Sequence, residues 1–136
     1  MAGLDIALVM DALAAAVEGS SLVSAAFGYP SEALVPGQAT VGYPETIDFD
    51  MTFGRGADTA VFPVWVMCGY TVDPATRATV SDLIKDAADI KTAIESYAPG
   101  SAYSSVRVTD AAIESQQMGA NGPWVLTVRF DCEVIS

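Results

Sequence analysis

The 136 residues include no histidine, only two cysteines and only six lysines and arginines. The missing histidine removes His-dependent nucleophilic triads, the commonest general base and the usual zinc and iron ligand sets. The two thiols, Cys68 and Cys132, lie inside apolar strand-like runs, where cysteine behaves as a small buried hydrophobe. They make no disulfide framework, leaving open at most one buried pairing, and neither precedes a helix start that would lower a thiol pKa. No apolar run reaches the roughly 18 residues a membrane span needs. Internal repeats and low-complexity tails are missing too. Basic charge is scarce against seventeen acidic side chains, for a formal net charge of −11, so the chain repels a phosphate backbone and sequence-independent nucleic-acid binding is excluded.

What remains is an apolar fraction of 51%, enough for one domain over residues 1–136 with a real core and against disorder; a soluble protein is expected. The opening MAGLDIALVMDALAAAVEG has no Lys or Arg ahead of its apolar part and carries Asp5, Asp11 and Glu18 inside it, so it reads as an amphipathic helix and not as an export signal. Ile6, Val9, Met10, Leu13 and Val17 form its inner stripe, and Gly19 stands where a C-terminal cap belongs. SLVSAAFGYP reads as a short strand ended by Gly28 and Pro30, and SEALVPGQATVGYPE leaves room for one more.

From Thr59 to Tyr70 the period-two split sets Val61, Pro63, Trp65 and Met67 on one face and Phe62, Val64, Val66 and Cys68 on the other. Both faces are apolar. Such a strand is either covered on both sides within its own fold, or covered on one side by its helices and on the other by a neighbouring molecule. Pro63, which cannot donate to a ladder, predicts a bulge or an edge position. Asp73-Pro74 opens a helix through Val80, Leu83, Ile84 and Ala87, and Asp89 is expected to cap another with Ile90, Ala93, Ile94 and Tyr97 inside, ended by Pro99 and Gly100. Trp124, Leu126, Val128, Phe130, Cys132 and Val134 alternate with Val125, Thr127, Arg129, Asp131 and Glu133, predicting a last strand with one buried and one wetter face. SSVRVTDAAIES is its partner across the Asn121-Gly122 turn. The fold class expected is α+β: a mixed or antiparallel sheet, arranged as a meander, with helices packed on one face.

Candidate chemistry is sparse. Asp48, Asp50 and Asp58 do not have the spacing of a calcium loop and read as solvated acids. Gly54-Arg55-Gly56 lacks the strand-loop-helix setting and following lysine of a phosphate cradle. It is either a hairpin turn needing positive φ or a mobile arm whose Arg55 makes a bidentate contact with an acidic partner surface. Trp65, Trp124, Tyr70, Tyr97 and Tyr103 fall at core periodicity more than at ligand-stacking positions. No catalytic residue, metal site or cofactor is expected, and the chain is read as a non-enzyme.

The order of these features carries a resemblance. An amphipathic helix, a short strand ending in GYP, a proline-rich passage, then DFDMTFGRGADTAVFPVWVMCGYTVDPATRATVSDLI, and later SSVRVTDA before a terminal strand resemble the tail terminator, or tail-completion, proteins of long-tailed bacteriophages of actinobacterial type. The resemblance runs from about Leu4 to Val134 and rests on the order and spacing of TFGRG, FPVWV and RVTDA more than on any one of them. One departure is AADIKTAIESYAPGS, which is compact where a longer passage with a glycine-rich turn is expected. The resemblance implies a homo-oligomeric ring, commonly of six subunits, at the head-proximal end of the virion tail, assembled in the host cytoplasm. Its partners would be copies of itself, the major tail tube protein and the head-tail connector, with DNA passing through an acidic lumen and no membrane involved. Interface candidates on this reading are Phe53, Gly54, Arg55, Gly56 and Asp58 in the loop, with Trp65 and Arg129 on the strands. A neck or head-completion connector, an unrelated homo-oligomeric domain and an enzyme or small-ligand module are the competing expectations.

Overall fold

A computed structural model describes residues 5–29, 37–48, 58–98, 100, 102–117 and 120–136. The first helix, α1 (Ile6–Glu18), starts where Asp5 accepts the Leu8 amide at 3.2 Å and ends at Gly19, whose own amide turns back to Ala16 and Val17. Three short strands follow: β1 (Ala25–Phe27), β2 (Gln38–Val41) and β3 (Ile47–Asp48). The long β4 (Thr59–Tyr70) leads into α2 (Pro74–Lys85), capped by Asp73 through the Ala75 amide at 2.9 Å, then α3 (Ala87–Ser96). A hairpin of β5 (Ser105–Gln117) and β6 (Trp124–Ile135) completes the chain.

The strands form one six-stranded mixed sheet in the order β1-β2-β4-β6-β5, with β3 also paired to β4. Only β1 and β2 run parallel; the other pairs are antiparallel. The α+β class with helices against one sheet face is as the alternation predicted. The simple meander is not: β6 lies between β4 and β5, because it is the partner whose Val128, Phe130, Cys132 and Val134 are apolar enough for the sheet centre, while β5 is largely exposed and takes the edge.

On the covered face the registers Ala60 with Val134, Phe62 with Cys132, Val64 with Phe130 and Val66 with Val128 stack alternate residues under α1, α2 and α3. Val9, Leu13, Val17, Val80, Leu83, Ile90 and Ile94 fill the space above them. The cysteines do not meet. Cys132 pairs with Phe62, roughly 20 Å along β4 from Cys68, and both thiols are free and buried. Burial pushes Cys68 up to about 11 and Cys132 to about 12, so neither supplies a thiolate at neutral pH.

Several local expectations are corrected. Pro63 sits neither at a bulge nor on an edge strand. Its carbonyl accepts the Gly42 amide at 2.8 Å, which places its ring nitrogen on the same side, where pairing passes from β2 (ending at Val41 with Val64) to β3 (starting at Ile47 with Ala60). No ladder donor is needed in that gap. The bulge in β4 lies instead between Met67 and Gly69. Gly69 has φ +150°, and a Cβ there would stand 2.5 Å from Thr76 Oγ1, so α2 packs onto bare backbone.

Asp86, not Asp89, stands at the N-cap of α3; the Asp89 carboxylate instead accepts from Ser20 at 2.8 Å and Ser21 at 3.2 Å, fastening the end of α1 to α3. Ile84, Tyr97 and Trp124, expected inside, are partly or largely exposed, the last at 52%. For Trp124 the cause is its place at the hairpin end, opposite Gln117 on the edge strand. Val125 and Thr127, expected on the wetter face, are buried.

Candidate functional site

The other face of β4 and β6 is built from the alternate set. Val61 pairs with Glu133, Pro63 with Asp131, Trp65 with Arg129 and Met67 with Thr127. Trp65 and Arg129, two of the predicted interface residues, are therefore direct cross-strand partners. Thr40 of β2 flanks Trp65 on its far side, and Ala112 of β5 flanks Arg129.

The segment after β2 bends over this face and forms a cleft of about 430 Å³ lined by Tyr43, Glu45, Thr46, Val61, Pro63, Trp65, Arg129 and Asp131. Gly42 makes the bend possible. A Cβ on it would lie 2.3 Å from the Trp65 ring and 3.0 Å from Pro63, so the backbone lies flat on the indole where no other residue fits. Trp65 is half-buried as a result, and its Nε1, fully shielded, meets no acceptor among the described residues.

Arg129 is held by two carboxylates. One guanidinium nitrogen pairs with Glu114 of β5, and Nε lies 3.1 Å from Asp131 without the alignment of a hydrogen bond. Two acids thus hold one base in place on a half-buried surface. Asp131 faces Asp110 across the β5–β6 register. Its carboxyl is raised above the usual range, first by burial and then by the hydrogen bond and charge of Asp110, against the lowering pull of Arg129.

Comparison with known proteins returns no matching family and no matching curated protein.

Of the remaining candidates, Phe53, Gly54, Arg55 and Gly56 lie outside the described residues, as do Asp50 and the choice between a turn and an arm. Asp58 is described and is elsewhere. It is buried just ahead of β4, with its amide donating to Ser136 Oγ at 2.8 Å and its carbonyl accepting the Ser136 amide at 3.0 Å. Among the described residues no cluster of three metal-ligating side chains occurs. Sequence reasoning missed Tyr43, Glu45 and Thr46. The signal available was Gly42: a glycine directly after a short apolar strand marks close backbone approach, although what it approaches is set by the register of β2 on β4.

Chemically the face offers ring stacking area, a fixed guanidinium and carboxylates.

Proposed function

We propose that the chain is a structural, self-assembling component of a bacteriophage tail, a terminator whose ring caps the head-proximal end of the tail tube and offers its other side to the head-tail connector. The observation that carries the reading is the second face of β4. Its sister face is sealed by three helices, whereas Val61, Pro63 and Trp65 line an open cleft beside the Arg129 ion pairs. A strand apolar on both faces but covered by its own helices on one supports contact with a neighbouring molecule on the other. A ring needs two unlike patches on each subunit. This face supplies one, and the TFGRGAD segment of the sequence is the candidate for the second. An acidic chain of net charge −11 suits a passage through which DNA slides without adhering.

Native mass spectrometry and negative-stain imaging of the purified protein test the ring. Val61→Glu, at a site 42% exposed, and Arg55→Glu are expected to abolish it or its docking to tubes while the subunit stays folded. Rings unaffected by both changes overturn the proposed seam. In virions lacking the protein, overlong tubes support a terminator, and tubes of normal length without heads assign the chain to the neck instead.

A further inference from the structure

The two edges of the sheet are not alike. β1 is three residues long, and the Ala26 amide is taken by Glu18 Oε1 of α1 at 3.0 Å. That edge is closed by a side chain. β5 is thirteen residues long and, among the described residues, pairs only with β6. Its first part is also guarded, because Val108 donates its amide to Glu95 at 3.0 Å and its carbonyl accepts from Lys91 at 3.4 Å, both from α3. The ion pair between Lys91 and Glu95 fixes that guard, and together with the Val108 amide it holds the Glu95 carboxyl below its usual range. A bulge then follows between Val108 and Asp110. Beyond it, from Asp110 to Gln117, no side chain of the described residues covers the strand's outer peptide groups, and the stretch holds neither proline nor lysine. These are the devices by which edges are ordinarily protected.

Ile113 stands in the middle of this open stretch, on the helix side of the sheet opposite buried Val128, yet it is 56% exposed. The Glu114 carbonyl faces β6, where it accepts from Thr127 Oγ1 at 3.4 Å. Successive peptide groups alternate, so the amide and carbonyl of Ile113 face outward.

We propose that a second copy of this chain pairs antiparallel along Asp110–Gln116, with the twofold axis at Ile113. A twofold relating antiparallel strands stands normal to the sheet and passes between two copies of the same residue. Placed at Ala112 it sets Asp110 against Glu114, and placed at Glu114 it sets that carboxylate against itself. Placed at Ala111 it draws the bulge into the pairing. At Ile113 it pairs Ala112 with Glu114 and Ala111 with Ser115, and buries the two exposed isoleucines on each other. Two chains of charge −11 repel, so added salt strengthens the pairing. The contact goes beyond the ring reading. An isologous seam closes on two copies and is separate from the cleft face.

Sedimentation equilibrium across a concentration series in low and moderate salt reads the result. Reversible dimers that tighten with salt are expected, and Ile113→Lys, at an exposed edge position, weakens them about tenfold or more. In parallel, Ile113→Cys treated with a short bifunctional maleimide gives a covalent dimer, while Val72→Cys, at a site 91% exposed, does not. The native thiols are buried and stay silent. A chain that sediments as a monomer throughout, or that links no better through residue 113 than through residue 72, overturns the proposal. Rings that persist in Ile113→Lys while its dimers weaken uphold both readings, and twofold dimers without rings uphold this proposal while overturning the ring.

Discussion

The same two strands, β4 and β6, build two surfaces of different character. Toward the helices every side chain of the central register is apolar and essentially dry: Ala60, Phe62, Val64 and Val66 against Val134, Cys132, Phe130 and Val128. On the reverse, one residue away along each strand, Val61, Pro63 and Trp65 meet Glu133, Asp131 and Arg129, and all six are half-buried or exposed. The first surface is held by displaced water and close packing. The second is held by one indole under a glycine backbone and by a guanidinium shared between two carboxylates. The difference teaches where tolerance lies. Stability resides on the covered face, and the open face is free to be specialised for contact.

The sharpest way to break this contrast is to cut one equivalent group from each surface. Val64→Ala should lower unfolding free energy by about 2–3 kcal/mol in urea titration, whereas Val61→Ala should cost about 1 kcal/mol or less. Equal losses would mean that the open face is a second core. A smaller effect is expected from Gly42→Ala, which forces a methyl into the Trp65 ring and should cost about 1–3 kcal/mol. In a Trp124→Phe background the emission of Trp65 should also shift to the red; an unchanged spectrum would show that the backbone does not rest on the indole.

The smallest effect concerns the acid pair. The raised pKa of Asp131 means that the folded state binds protons the unfolded chain has already released, so stability falls as pH rises from the unfolded value through the folded one. Asp110→Asn removes one contributor, should add about 0.2–1 kcal/mol at pH 7, and should flatten that slope. A variant with the native slope would assign the shift to burial alone.

Much of the fold was legible in the chain. The limits of β4 fall at Thr59 and Tyr70 as the alternation predicted, because period-two patterning and the following Asp73-Pro74 signal leave no other solution. The β5–β6 hairpin is likewise local. The site was legible by halves. Trp65 and Arg129 could be named, but that they are partners depends on β6 entering between β4 and β5, a choice made by comparing the apolar content of whole strands. Asp58 illustrates the opposite failure. Its place in an acidic loop suggested a surface role, while a long-range pairing with Ser136 draws it inward.

By itself, then, the sequence determined the α+β class, the caps at Gly19 and Asp73, the doubly apolar strand and the lack of histidine chemistry, all of which follow from spacing and composition within a few turns of chain. Tertiary structure alone decided the strand order, which acids hold Arg129, which backbone rests on Trp65 and which sheet edge the described residues leave uncovered. Those outcomes depend on the register between segments far apart in the chain, where a shift of one residue exchanges the faces of a strand and local propensity carries no information.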